Sequence, residues 1–211
     1  MTEARKTKAT PVAALAGNPN VGKSTIFNAL TGMRQHTGNW PGKTVALAQG
    51  VCMYKGEEIR LVDLPGTYAL VSKSQEETLA AGFISGGEAD CVIAVCDATS
   101  LERSLILALQ VMELTDRVIV CVNLMDEAQK QGIKIDLAAL SFELGVPVVA
   151  ASASREEGMG ELLEQLRRIL DGFEAPRPRR CGVVSDSIRE SHLGAEALRG
   201  ASGRASDEIA A

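Results

Sequence analysis

Gly17-Asn18-Pro19-Asn20-Val21-Gly22-Lys23-Ser24 is the stretch whose reading decides the fold. It fits the pattern G-x-x-x-x-G-K-[ST], and its flanks give the pattern meaning. The apolar run Val12–Ala16 before it predicts a strand, and Lys23–Leu30 after it predicts a helix. A strand that turns through glycines into a helix N-terminus aims backbone N–H groups and a positive dipole end at a phosphate. Gly17, Asn18, Pro19, Asn20, Val21 and Gly22 are then the expected cradle, with Lys23 reaching the β- and γ-phosphates. Ser24 would offer its hydroxyl to Mg²⁺, and Thr25 follows it into the helix. The expected ligand is a nucleoside triphosphate.

Outward from this loop, short β-rich runs alternate with helical patterns. Strands are predicted at Val12–Ala16, Val45–Met53, Glu58–Val62, Cys91–Cys96, Arg117–Val122 and Val146–Ala150. Helices are predicted at Lys23–Leu30, Gln75–Ile84, Leu137–Leu144, Gly160–Leu170 and following Thr99. Several strands are apolar almost throughout, as strands covered on both faces are. Ser74 and Glu77 predict a capping box. Glu102 stands third after Thr99, with Leu101, Leu105, Leu109 and Met112 on one helical face. Gly145 predicts a helix C-cap. The alternation implies an α/β fold, a doubly wound and mostly parallel sheet with right-handed crossovers. Residues 12–172 are expected to form this domain, after a flexible 1–11. The Pro- and Arg-rich residues 175–180 read as a linker, and 173–211 as linker plus a partly helical or disordered tail, with a short helix at Ser187–Leu198.

The nucleotide's identity is read further along. Asp63-Leu64-Pro65-Gly66 ends a predicted strand, where Asp63 suits a Mg²⁺-bound water and the Gly66 N–H suits the γ-phosphate. Asn123-Leu124-Met125-Asp126 ends another. A carboxylate at its fourth position accepts from both N1–H and the exocyclic amine of guanine, a donor pair that adenine lacks. Leaving that buried carboxylate unpaired is costly, so discrimination on the order of 10⁴ is available. Ser152-Ala153-Ser154, past the last predicted strand, is placed to give backbone N–H groups to the guanine oxygen.

These motifs, in this order, make the chain resemble the translation-factor-related small GTPases from Val12 to about Leu170, which implies a Ras-like P-loop fold. The loop Q-H-T-G-N-W-P-G-K-T-V (35–45), preceded by L-T-G, is similar to the first switch of the FeoB ferrous-iron transporter family. D-L-P-G-T-Y-A-L (63–70) resembles its second switch, and 123–136 and 144–149 continue the likeness. The resemblance implies the cytoplasmic N-terminal G domain of a membrane iron transporter, related to TrmE- and Era-like GTPases. It would work at the cytoplasmic face of the bacterial inner membrane, the domain alone being soluble. GTP and GDP are the implied ligands, with Gly42, Lys43, Thr44 and Val45 over the nucleotide and Thr44 completing Mg²⁺ coordination. The implied partners are the transmembrane portion of the same transporter and small cytosolic accessory proteins. Two features depart from the family. Lys43-Thr44-Val45-Ala46 stands where Val-Thr-Val-Glu is common, and the residues after 172 are too few for the helical domain that follows the G domain.

Mechanistically, Lys23, Thr44, Gly66 and Asn20 are the expected catalytic groups. Thr67 stands where many GTPases place a water-orienting Gln, which predicts slow intrinsic hydrolysis. By the resemblance, Asn20 helps coordinate a K⁺ ion that substitutes for an arginine finger; Arg34, near the switch, reads as a solvated side chain. Trp40 either packs its loop down or anchors a partner or the closed state of the switch. The alternative function is a free-standing GTPase of tRNA modification or ribosome assembly, which would want a basic appendage. A net charge of -5 and 3% aromatics argue against nucleic acid. A non-catalytic adaptor is disfavoured by the intact Lys23, Ser24 and Asp63.

Composition is that of a globular protein, 45% hydrophobic and 23% charged. No apolar run approaches the roughly 18 residues of a membrane helix, so 211 residues with this switch read as the front of something longer. The five cysteines contain no C-x-x-C pair, and Cys91, Cys96 and Cys121 lie in Val/Ile-rich runs. They are expected to be small buried hydrophobes in a reducing compartment, with no iron site among them.

Overall fold

A computed structural model describes residues 10–32, 35–39, 46–70 and 74–180, with the main chain alone at 35–39 and 46. The strands are β1 (Val12–Gly17), β2 (Gln35–Asn39), β3 (Ala46–Tyr54), β4 (Glu57–Asp63), β5 (Cys91–Asp97), β6 (Val118–Asn123) and β7 (Val148–Ala150). Between them run α1 (Lys23–Thr31), α2 (Gln75–Ser85), α3 (Leu101–Leu114), α4 (Met125–Lys130) and α5 (Leu137–Leu144), and α6 (Met159–Leu170) follows β7. The sheet order is β2-β3-β4-β1-β5-β6-β7. The ladders from β4 through β7 are parallel, and β2–β3 and β3–β4 are antiparallel. The doubly wound, mostly parallel sheet expected from the alternation is present.

Period-two alternation within β1 feeds two cores. Ala14 and Ala16 pack with Leu79, Phe83, Leu107 and Met112 of α2 and α3 on one face. Ala13 and Leu15 pack with Ile26 and Phe27 of α1 and Leu162 and Leu166 of α6 on the other. The order of strands reverses beside β1, and at such a switch point the carboxyl ends of the strands open a crevice for ligands. Gly17, Asp63, Asp97, Asn123 and Ala150 all stand at that edge.

Several local expectations hold. Ser74 and Glu77 form the reciprocal capping box of α2. Gly145 caps α5 in the left-handed conformation. Other features differ. The run 35–39, with a glycine and no apolar face, carries no strand signal, yet β2 forms because Thr37 and its neighbours pair with Ala48 on β3. The six-residue α4 is too short to show a period. Thr99 does not open α3. Its N–H and Oγ1 both donate to Asp97 Oδ1 at 2.7 Å, and Ser100 Oγ donates to Oδ2 at 3.1 Å. An acceptor-only carboxylate at the end of β5 thus gathers these donors into a 3₁₀ turn, and α3 begins after it at Leu101.

The Pro/Arg segment runs back along the domain. Arg177 and Arg179 donate backbone N–H groups to Gly145 O (3.0 Å) and Leu144 O (2.9 Å). Arg180 bonds Met112 O and pairs with Asp116, and the Arg179 guanidinium lies 4.7 Å from the Phe142 ring. Composition marks this stretch as polar and breaker-rich, but carbonyls at the C-terminus of α5 still need donors, and the strap supplies them. The Ser187–Leu198 helix lies outside the described residues.

Cys52, Cys91, Cys96 and Cys121 are buried and unbridged. Burial pushes the Cys52 thiol up to about 11, those of Cys91 and Cys96 to about 12, and that of Cys121 further still. They are neutral thiols at physiological pH, packed as small apolar side chains.

Candidate nucleotide site

The phosphate loop is shaped by what it touches. At Gly17 a Cβ would lie 2.8 Å from the Val95 carbonyl. Asn20 (φ 67) and Gly22 (φ 83) take left-handed backbone, and Gly22 is the residue from which α1 starts. A Cβ at Gly22 would collide with the Asn123 side-chain amide, so loop and base-side motif meet there without room for a methyl group. The Asn18 side-chain oxygen is buried and has no protein partner among the described residues.

Three expected phosphate and metal residues converge at the mouth of this loop. Lys23 is 9% exposed, and its ammonium pairs with Asp63 Oδ1 across 40 positions of chain. Ser24 Oγ donates to Asp63 Oδ2 at 3.1 Å. The strand order produces this, since β4 lies parallel beside β1 and its last residue, Asp63, pairs with Leu15. Beyond Asp63, the Leu64 N–H bonds Leu15 O (3.0 Å) and the Thr67 N–H bonds Gly17 O (3.3 Å), which presses Pro65 and Gly66 onto the loop. A Cβ on Gly66 would lie 3.3 Å from Pro19 Cα. Thr67 is only 5% exposed, Tyr68 stacks against the Arg103 guanidinium (4.8 Å), and the Leu70 N–H donates to Gln110 Oε1 at 2.7 Å. Gln110 had no sequence signal, because it is a polar residue on an otherwise apolar helix face. The first-switch residues Trp40, Gly42, Lys43, Thr44 and Val45 lie outside the described residues.

The expected base side is held by Asn123. This residue is 1% exposed; its amide donates to Val21 O and its oxygen accepts from the Ala153 N–H, each at 3.0 Å. Leu124 (φ 63) turns the chain sharply, and the Met125 N–H bonds Ala151 O, which sets Asp126 in the first turn of α4. Asp126 faces a cavity of about 330 Å³ that Met125, Ile133, Lys134, Ser152 and Arg155 also line. Its side chain is 9% exposed, with Oδ2 3.4 Å from Arg155 Nε and Oδ1 buried without a protein partner among the described residues.

The Ser152–Ser154 loop is closed by Ser152 and Glu157, whose N–H and C=O groups bond each other, and by Gly158 (φ 83). The Ser152 N–H donates to Glu157 O and the Ala153 N–H to Asn123 Oδ1. Of the expected tripeptide, Ser154 is therefore the residue whose N–H is uncommitted to protein among the described residues. Arg155 was invisible to sequence reading, since it belongs to no motif and meets Asp126 only through the fold.

Among the described residues, no helix is long and apolar enough to cross a membrane, and no three His, Cys, Asp or Glu side chains group to hold a metal.

The family profile described as ferrous iron transport protein B matches residues 11–166. The Fe(2+) transporter FeoB of Escherichia coli K12 is 44% identical over 165 residues, covering 76% of this chain and 21% of that protein. The Salmonella choleraesuis FeoB is 41% identical over 191 residues, 83% of this chain and 24% of that protein. The chain thus spans between a fifth and a quarter of the length of these relatives. Among solved structures, the FeoB G domain of T. maritima superposes with a TM-score of 0.71 at 45% identity, covering 76% of this chain and 98% of that one. The FeoB G-domain of Methanococcus jannaschii does so with 0.68 at 42%, covering 77% and 98%.

Proposed function

Since the chain belongs to the ferrous iron transport protein B family and carries its N-terminal G domain, we propose that it binds GTP with Mg²⁺ and hydrolyses it slowly. In this reading it is the switch of a ferrous-iron transporter, at the cytoplasmic face of the membrane. Its partners are the transmembrane portion of that transporter and small cytosolic accessory proteins. The observation that carries the nucleotide reading is the convergence of Lys23 and Ser24 on Asp63 at the mouth of a glycine-bounded loop. The alternative of a free-standing tRNA or ribosome GTPase finds no support in the family match.

The donor set fits Mg²⁺, because a hydroxyl and a carboxylate 3.1 Å apart are hard oxygen ligands beside a phosphate cradle. Ser24 would hold the ion directly and Asp63 through water, with Thr44 added in the GTP state. Bound Mg²⁺ supplies charge neutralisation on the β- and γ-oxygens. Lys23 exchanges Asp63 for the phosphates, a move between two charged partners that costs little desolvation. The Gly66 N–H binds the γ-phosphate. Water attacks phosphorus and the bond to the β–γ bridging oxygen breaks, giving GDP and phosphate. Thr67 is pinned against Gly17 and faces inward, so no side chain directly after Gly66 orients that water, in keeping with slow turnover. On the base side, Asp126 accepts from N1–H and the amine of guanine, and the Ser154 N–H serves the guanine oxygen. Residues 12–172 are the working domain.

The direct test is phosphate release from GTP with and without Mg²⁺; no Mg²⁺-dependent release would overturn the reading. Two finer outcomes are expected. Asn20 stands exposed with a left-handed backbone at the loop's rim, able to offer its carbonyl oxygen to K⁺. Turnover in KCl is expected to exceed turnover in equimolar NaCl, by ~10-fold if the cation does an arginine finger's work in part; equal rates would sink the K⁺ role. Thr44→Ala is expected to slow hydrolysis by ~10-fold or more while GDP affinity stays within about threefold, because Thr44 engages only in the GTP state. Equal losses in both measurements would show that it acts elsewhere.

A further inference from the structure

We propose that Arg155 is a competing counter-ion for Asp126 which guanine must displace, so that it weakens nucleotide binding and shortens the stay of GDP. The inference rests on the base-pocket reading above. Asp126 presents a side chain that is 9% exposed, and Oδ1 has no protein partner among the described residues. A charge so placed needs a cation or a set of donors, and an unpaired buried carboxylate is expensive. Among the described residues Arg155 is the one cation paired with it, at 3.4 Å through Nε. That distance is longer than the 2.7–2.9 Å usual for charge-assisted hydrogen bonds. The guanidinium is 50% exposed, sits on the loop that closes the same cavity, and can swing into water. The geometry is therefore a loose lid on the carboxylate, holding the oxygen that one guanine donor would occupy.

The consequence is thermodynamic. Arg155 stabilises the ligand-free protein more than the nucleotide-bound one, since guanine satisfies Asp126 by itself. Removing the cation should raise the free energy of the empty site alone and tighten binding. Lys134 lines the cavity as well but makes no ion pair with Asp126, so it does not replace Arg155 there. Because the Arg155 end of the pair is half exposed, the effect should be modest and should fade with salt.

The test uses Arg155→Gln, a shorter polar side chain that removes the charge, beside Arg155→Lys and Asp126→Asn in the same 211-residue chain. A fluorescent GDP analogue gives Kd and the dissociation rate. Arg155→Gln is expected to bind about fivefold tighter at low salt, mostly through slower dissociation, with the gain shrinking at 0.5 M KCl; Arg155→Lys should return toward the parent. The thermal upshift on adding GDP should grow in Arg155→Gln because the ligand-free form melts earlier. Unchanged or weaker GDP binding by Arg155→Gln, while Asp126→Asn loses guanine nucleotide, would overturn this inference and leave the base pocket standing. Undiminished guanine binding by Asp126→Asn would overturn the base pocket and this inference with it.

Discussion

Asp126→Asn is expected to lower GTP affinity by ~10⁴-fold and to create binding of xanthosine triphosphate. An amide offers one acceptor and one donor in place of two acceptors. The acceptor still meets N1–H, but the amide N–H₂ now faces the guanine amine, so two donors confront each other. Xanthine carries a carbonyl where guanine carries that amine, and accepts from the amide instead. The loss is not expected to come from unfolding. Asp126 is a nearly buried charge with one oxygen unpartnered among the described residues, and its neutral isostere removes a desolvation cost rather than adding one. Arg155, half exposed, is solvated once its partner is gone. Competition binding with GTP and xanthosine triphosphate, with a thermal melt of each protein, checks both halves; retained GTP affinity would mean that Asp126 does not read the base.

A second large effect is expected at Asn123. Alanine there removes the donor to Val21 O and the acceptor for the Ala153 N–H, both buried. Two stranded polar groups cost about 3 kcal/mol together. At this chain length that is a fall in Tm of about 6–12 °C. Nucleotide affinity should fall as well, because the phosphate loop and the Ser152–Ser154 loop lose the clamp between them. Asn123→Asp separates the two sides: it keeps the acceptor for Ala153 and sets a carboxylate against the Val21 carbonyl. Thermal denaturation and GDP titration measure both effects. A Tm within about 2 °C of the parent for Asn123→Ala would show that water serves these groups equally well.

These two residues also mark how far the sequence could be read. Asp126 is legible as a candidate because a carboxylate that closes a contiguous tetrapeptide after a strand carries its own chemistry. Asn123 was legible as a member of that motif, but not its action, which joins positions 102 and 30 residues away. The same contrast holds for the strands. β5 and β6 are apolar up to their last residues, Asp97 and Asn123, because helices cover both faces, so composition alone announces them. β2 exists only through its ladder to β3 and has no local cause. Thr99 looked like a helix cap from its spacing to Glu102, and the Asp97 carboxylate two residues earlier took its donors instead.

By itself the sequence determined the α/β alternation, the glycine-bounded loop ahead of α1, and the four-residue motif Asn123–Asp126 that we propose reads guanine. Each is carried by neighbours within one or two turns of chain, where propensity, glycine conformation and hydrogen-bonding capacity act directly. Only the tertiary structure decided that Lys23 and Ser24 share Asp63, that Gly22 meets Asn123 with no room for a Cβ, that the Arg177–Arg180 strap ties down the ends of α3 and α5, and that Arg155 sits on Asp126. Those pairings depend on which strand lies beside which. That order is set by the joint burial of two core faces, and no local stretch of sequence contains it.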